Sequence, residues 1–450
     1  MKDLTQGPVW RHLLSLAGFM GVSMVFQTLY FLIDLYFVSE LGKEAVAGVS
    51  LAGVLMMTIL ALTQVLSVGT TTLISHAVGR QDREDANLVF NQAFFLALLV
   101  GAAVAAVGFT FREAYCRALA ADEATIAQGV AYLKWYMPAM GLQFAMGAMG
   151  SALRGTGIMK PSMVVQITTV VINAALAPVL IAGWVTGRAF GAEGASMATL
   201  IAVAIGVAAM TMYFIRLEHY VGFNLTQWKP RIGTWKRLAA IGLPAGGEFA
   251  LISVYSALVY WLLRPLGATA QAGFGIGGRV MQSVFLPVMA VSFAAAPVAG
   301  QNFGAKKFDR VRETFRSASL LATALMLLVT LFCQAMPDRL IRLFSADAGV
   351  VDFGVEYLRI VSWNFVASGF IFACSAMFQA LGNTWPSLGA SVGRIVLFAI
   401  PAVFLGQRAG FAAADLWWLS IGSIAAQAIA AYTLLQREFQ IKLPRGSGAA

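Results

Sequence analysis

Two carboxyl side chains stand out by position. Asp34 and Glu248 lie well inside long apolar runs, where an ionised group costs about 2.5–3.5 kcal/mol even on insertion scales. Asp34 completes a stripe of Ser23, Gln27, Tyr30 and Asp34. Steps of four, three and four residues put all four on one helical face. A carboxyl there can bind a proton or cation beside a polar cavity, or it can reach water at a helix end. Glu248 follows Gly242-Leu243-Pro244, and Tyr255 lies seven residues on. It can draw in a cationic molecule, or it can be an acid near a helix N-terminus, where the dipole favours it.

Gln166, Thr169 and Asn173 share a face ahead of Pro178. An Asn at membrane depth needs a partner, either a carboxyl such as Asp34 or a neighbouring helix. Two more polar faces, Gln143/Gly147/Gly150/Arg154 and Asn364/Ser368/Ser375/Gln379, suit close helix packing or ligand contact. Arg279 and Arg394 could line an aqueous path or pair with an acid, and Lys134 is expected to snorkel to an interface. The run Gly273 to Gly278 has no preceding strand, so it reads as helix packing and not as a dinucleotide loop. No nucleophile–base pair, metal constellation or P-loop occurs in the sequence. An enzyme, a metal site and an ATP-driven pump therefore have no support, and no nucleic-acid partner is expected, because the basic residues are spread between apolar runs.

These residues need helices to hold them. Of 450 residues, 59% are hydrophobic and 12% charged, about half the charge of a soluble domain, and mean hydropathy is +0.76. Twelve runs are long enough to span a bilayer, and in lipid they must be helices. The first follows fairly polar residues and is longer than a signal-peptide core, so it reads as a span. Nineteen of the 31 Lys and Arg fall on the N-terminal side of the spans and eight on the other, which predicts cytoplasmic termini. Three scattered cysteines argue against a disulfide framework.

The chain also repeats. At a constant offset of 225, Gly48 falls on Gly273, Gly53 on Gly278, Gly79 on Gly304, Asp122 on Asp347, Gly157 on Gly382, and Pro161-Ser162 on Pro386-Ser387. Six spans per half give the halves one orientation, a parallel repeat. The expected fold is an all-α polytopic membrane protein with 12 transmembrane helices in two parallel six-helix repeats around a central cavity. The N-lobe is 1–217, a basic cytoplasmic linker 218–237, and the C-lobe 238–450.

The chain resembles the multidrug and toxic compound extrusion (MATE) family over about residues 10–436. The likeness rests on Ile33-Asp34-Leu35-Tyr36-Phe37-Val38-Ser39-Glu40-Leu41-Gly42, on Leu153-Arg154-Gly155-Thr156-Gly157 with Lys160-Pro161-Ser162, on Asn173-Ala174-Ala175-Leu176-Ala177-Pro178, and on Gly242-Leu243-Pro244. It implies a secondary antiporter that exports cationic lipophilic compounds in exchange for H+ or Na+ by rocker-switch alternating access. In the DinF-like branch, which it resembles more than the NorM-like one, the coupling acid (here Asp34) is networked with a span-five Asn (Asn173) and a span-six Thr (Thr199), with Tyr30 beside them. Gln27, Tyr36, Glu248, Tyr255, Arg279 and Asn364 are expected to line the substrate cavity. Ala177 replaces an acid usual in that branch, and Glu248 sits about one turn earlier than the NorM-like span-seven acid. Both cation sites are thus incomplete, which favours a proton, since Na+ wants several oxygen ligands. No cofactor is expected beyond the coupling ion. The chain is expected to be a monomer in a bacterial inner membrane. The alternatives are a flippase for lipid-linked precursors from the same superfamily and, less favoured, an ion channel.

Overall fold

Backbone groups in an apolar run can be satisfied only within the run, and each run forms a helix. The computed structural model describes residues 2–444 apart from Glu40, Ala121, Val185, Thr186, Arg188, His219 and Ala409, and within the helices every side chain except those of Phe31, Asp34, Leu35 and Val54. The helices are α1 (Val9–Ser39), α2 (Lys43–Gly79), α3 (Arg83–Leu119), α4 (Glu123–Gly155), α5 (Lys160–Ala182), α6 (Ala192–Arg216), α7 (Ile232–Leu263), α8 (Ala268–Gly304), α9 (Phe308–Ala335), α10 (Pro337–Arg342), α11 (Ala348–Val361), α12 (Phe365–Ala380), α13 (Trp385–Gly406) and α14 (Ala413–Lys442). Only a 3-10 turn, Ser362–Asn364, separates α11 from α12, so the two act as one span. With α10 too short to cross, the long helices fall at the twelve expected places.

Among the described residues, eleven helices are both long and apolar enough to cross a membrane. The twelfth, α4, is long enough but less apolar. Packing explains it: Tyr132, Leu133, Tyr136, Met137, Phe144 and Met149 of α4 are all buried, so this helix is shielded by its neighbours and needs less hydrophobicity of its own.

The offset of 225 recurs in backbone conformation. α2 and α8 have the same length and begin and end at repeat-related residues. Asp122 and Asp347 both cap helices, accepting from the backbone N–H of Thr125 and Val350. Gln81 and Lys306 are the two non-glycine residues at positive φ among the described residues, and Gly42 and Gly267 also take positive φ. The glycine run packs as expected. A methyl at Gly273 would stand 2.6 Å from Phe353 Cδ1, and one at its repeat-mate Gly48 would stand 2.7 Å from Gly129 N.

The chain divides into two compact units, Met1–Asp3 with Val22–Gly246, and Leu4–Gly21 with Gly247–Ala450. The boundaries in α1 and α7 are themselves repeat-related. Each unit contains the second half of its own first helix and the first half of the other's. The segment 218–237 belongs to the first unit, where it is strapped to α3. Asn91 is fully buried. Its Nδ2 donates to the carbonyls of Asn87 and Gly222, both at 2.9 Å, and its Oδ1 accepts from Asn224 N at 2.8 Å and Trp228 Nε1 at 3.1 Å. In the second unit Leu4 N donates to Gln301 Oε1 at 3.0 Å, and Arg310 donates to the Gly7 carbonyl at 2.9 Å. Removing the Asn91 carboxamide leaves the half-buried Gly222 carbonyl, the Asn224 N–H and the Trp228 indole N–H without that partner. Asn91→Ala should therefore destabilise the purified protein by about 3 kcal/mol, read as a fall in melting temperature, and an unchanged melting curve would show that the strap is dispensable.

Candidate functional site

In the first unit, α5 and α6 bring two polar side chains together in an apolar surround. Asn173 and Thr199 are both fully buried. Asn173 Nδ2 donates to Thr199 Oγ1 at 3.4 Å, and that hydroxyl donates to the Ala195 carbonyl one turn back at 3.2 Å. The other half of the carboxamide, Oδ1, is buried with no partner among the described residues. An unsatisfied acceptor in such a place costs about 1–3 kcal/mol, so it marks a place where a donor would be welcome. Ala177, which stands where the DinF-like branch usually has an acid, is fully buried. Tyr30 is half-buried on α1, and Gln27 and Tyr36 are exposed. Tyr36 borders an apolar hollow of about 440 Å³ with Leu32, Ile33, Phe37 and Ala174. Asp34 belongs to α1, and its side chain lies outside the described residues.

The second unit holds two polar layers. In one, Ser387 Oγ donates to Ser375 Oγ at 3.2 Å and Ser375 Oγ donates to Glu248 Oε2 at 3.2 Å. Glu248 Oε1 is buried without a partner among the described residues. In the other, Tyr255 OH and Asn364 Nδ2 both donate to Ser420 Oγ at 3.4 Å, and the Arg394 guanidinium lies over the Tyr255 ring at 4.8 Å. Glu248 and Tyr255 are seven residues apart on α7, as are Ser387 and Arg394 on α13. Two helical turns put the layers about 10 Å apart. Between them Gln427 Nε2 donates to Ser391 Oγ at 3.0 Å. Tyr255 and Asn364 thus converge, Glu248 sits in a layer of its own, and Arg279 is exposed on α8.

Sequence reading missed Ser387 and Ser420 as partners; the repeat match at Pro386-Ser387 was the one available signal. For the face that carries Arg154, packing and ligand contact were both open; its guanidinium donates to Ser67 Oγ at 2.6 Å and Ser151 Oγ at 2.7 Å. Lys134, expected to snorkel, pairs with Glu193 at the start of α6 at 2.8 Å, and Trp135 Nε1 donates to the same oxygen.

Known proteins share this fold. The MatE family model matches residues 20–179 and 244–405, one segment in each repeat. The probable multidrug resistance protein YoeA of Bacillus subtilis is 26% identical over 402 residues, covering 88% of this chain and 87% of that protein. The FAD transporter of Shewanella oneidensis is 26% identical over 451 residues, covering 97% of each. Among solved structures, an outward-facing multidrug resistance MATE family transporter matches with a TM-score of 0.90 at 22% identity, over 98% of each chain. A Pyrococcus furiosus transporter of the MOP superfamily, described as having a binding pocket of reverse polarity, matches with the same score, identity and coverage. These likenesses cover both repeats and the all-helical architecture, and the family comprises transporters and no enzymes. The chain is an integral membrane protein that belongs to the multidrug and toxic compound extrusion (MATE) family of transporters.

Proposed function

We propose that the protein is a secondary antiporter that exports cationic lipophilic compounds in exchange for H+, with Asp34 as the coupling carboxylate. The observation that carries this reading is the orphan Oδ1 of Asn173, held beside Thr199 in the buried pair on α5 and α6. A neutral carboxyl has an O–H to donate, and a carboxylate has none. A fixed, unpartnered carbonyl oxygen therefore favours the protonated acid, and protonated Asp34 is the donor we assign to it. Ala177 supplies no oxygen there, which leaves the surround poor in ligands for Na+.

Export follows from the two protonation states. With Asp34 ionised, its charge holds the cationic compound, together with Tyr30 and Gln27 on the same face of α1. Taking up a proton from outside removes that charge and weakens the hold, and the compound leaves outward. The two units then rock, and the proton leaves to the cytoplasm. Such a cycle needs unequal affinity of the two states for the compound, and the neutralised carboxylate provides it. Tyr36, Glu248, Tyr255 and Asn364 contribute to the substrate path. The protein works as a monomer in a bacterial inner membrane, with both termini cytoplasmic and no cofactor besides the coupling ion. The relatives named as multidrug resistance and multidrug export proteins support the substrate class.

Proteoliposomes containing the purified protein and a fluorescent cationic dye test the coupling directly, with H+ and Na+ gradients imposed separately. A pH gradient should drive dye movement, and a Na+ gradient of equal size should not. Dye movement driven by Na+ alone would overturn proton coupling.

A further inference from the structure

The strap between α6 and α7 carries Arg216, Lys229, Arg231, Lys236 and Arg237 against a single acid, Glu218. Glu218 is buried and its carboxylate accepts from the Tyr220 N–H at 2.9 Å. Arg237 pairs with Asp85 at 3.3 Å. The other four are exposed and, among the described residues, make no ion pair and no side-chain hydrogen bond. By contrast, Arg80 pairs with Asp85, Arg312 with Asp309 and Lys442 with Glu438, while Lys307 and Arg310 donate to carbonyls of the N-terminal segment. At the offset of 225, Lys229 and Arg231 fall on Leu4 and Gln6, so the fold common to both repeats does not require charge at these positions.

The strap is held at the level of the headgroups. Gln92 Nε2 donates to the carbonyls of Gln227 and, at 2.8 Å, Lys229, and Gln92 Oε1 accepts from Arg231 N at 2.9 Å. The Trp228 ring packs on Phe94 and Phe95 at 5.8 and 5.9 Å, and Trp235 packs on Phe95 at 6.3 Å. α3 bears no charge between Asp85 and Arg112, so these partners lie where its apolar span begins, the depth at which Trp is favoured. There Leu217, Leu225 and Ile232 are 66, 74 and 56% exposed, and Ile232 and Lys236 stand one turn apart on α7. Exposed aliphatic side chains among unpaired cations match a surface that is anionic above and apolar below. The backbone that carries them is already fixed, so little ordering entropy is left to lose on docking.

We propose that the strap docks on the bilayer surface through anionic phospholipids. Arg216, Lys229, Arg231 and Lys236 take the headgroups, and Leu217, Leu225 and Ile232 enter the boundary with the acyl chains. Each cation gains a charge-assisted bond, and each strengthens binding to an anionic surface about fivefold. A soluble nucleotide or acidic peptide would engage the cations but would not account for aliphatic side chains exposed at headgroup depth. The docking surface belongs to the first unit alone. It depends on neither Asp34 nor the coupling ion, and it can be read with no gradient and no transported compound present.

Gly233 is exposed in the first turn of α7 with open space where a side chain would go, and the three native cysteines are buried. Gly233→Cys, labelled with the environment-sensitive dye NBD, therefore reports on the strap in the full-length protein reconstituted in nanodiscs. Replacing half of the phosphatidylcholine with phosphatidylglycerol should shift NBD emission to the blue and brighten it about twofold as the strap settles on the surface. Salt at about 1 M, where the Debye length is about 3 Å, should reduce the response. Combining Lys229→Gln, Arg231→Gln and Lys236→Gln should abolish it. Lys236→Gln alone should raise the phosphatidylglycerol fraction needed for half the response by about twofold or more, and it carries the test if the triple variant does not fold. Equal emission in the two lipids or a response that survives the triple substitution would overturn the proposal. So would a response produced in pure phosphatidylcholine by soluble polyglutamate and not by phosphatidylglycerol, which would assign the cations to a soluble acidic partner.

Discussion

In proteoliposomes under an imposed pH gradient, Asp34→Asn should reduce cationic dye export to the level of protein-free liposomes. The substitution keeps the size and hydrogen-bonding reach of the side chain and removes only the titratable proton. An Asn cannot alternate between charged and neutral forms, so the two states of the cycle would hold the compound with equal affinity, and equal affinity shifts no equilibrium. The partner prediction separates coupling from folding. Asn173→Leu removes the orphan Oδ1 along with the amide and leaves Thr199 its bond to the Ala195 carbonyl. It should fold as well as the wild type, yet export about tenfold more slowly, the worth of one hydrogen bond to a functional group. Normal pH-driven export by well-inserted Asp34→Asn protein would remove Asp34 from the mechanism.

Much of this fold could be read from the chain because the repeat is written in residues that turns and caps demand. Gly42 and Gly267 need positive φ, and Asp122 and Asp347 cap helices; few other residue types do either job. The glycine run of α8 was legible for the same reason, since only glycine lets Phe353 approach so closely. The exchange of half-helices between units was not legible. It depends on which distant segments pack against α1 and α7, and hydrophobic periodicity says that a face is buried without saying against what. Ser387, which backs Ser375 at Glu248, and Ser420, which receives Tyr255 and Asn364, were hidden differently. A serine in a membrane helix can satisfy itself on its own backbone, as Ser283 does by donating to the Arg279 carbonyl. Its presence in a sequence therefore carries little signal. Asn173 was noticed because an amide cannot be satisfied so cheaply.

The second large effect concerns Gly242, the first residue of the Gly-Leu-Pro motif, and its cause is steric. In the first unit the opening half of α7 lies directly on α2. A methyl at Gly242 would collide with the Val65 carbonyl, one at Gly246 would stand 2.9 Å from the Ala61 carbonyl, and one at Gly69 of α2 would stand 2.5 Å from the Leu238 carbonyl. Three glycines thus close the same seam: Gly242 and Gly69 meet only backbone, which cannot rotate away, and Gly246 meets the Val65 side chain as well as the Ala61 carbonyl. Helices in lipid gain their association from such close packing and not from a hydrophobic driving force. Gly242→Ala must push α7 off α2 along the seam, forfeiting contacts at Gly246 and Gly69 as well. The expected cost is about 3 kcal/mol or more, seen as a large fall in melting temperature and in the amount of folded protein recovered from membranes. Gly53→Ala and Gly278→Ala are the controls. They are repeat-mates inside α2 and α8 with open space where the methyl would go, and there alanine should stabilise by about 0.4–1 kcal/mol through the unfolded chain. If Gly242→Ala melted with the wild type, the seam would not be holding α7, and the motif glycine would need a reason other than packing.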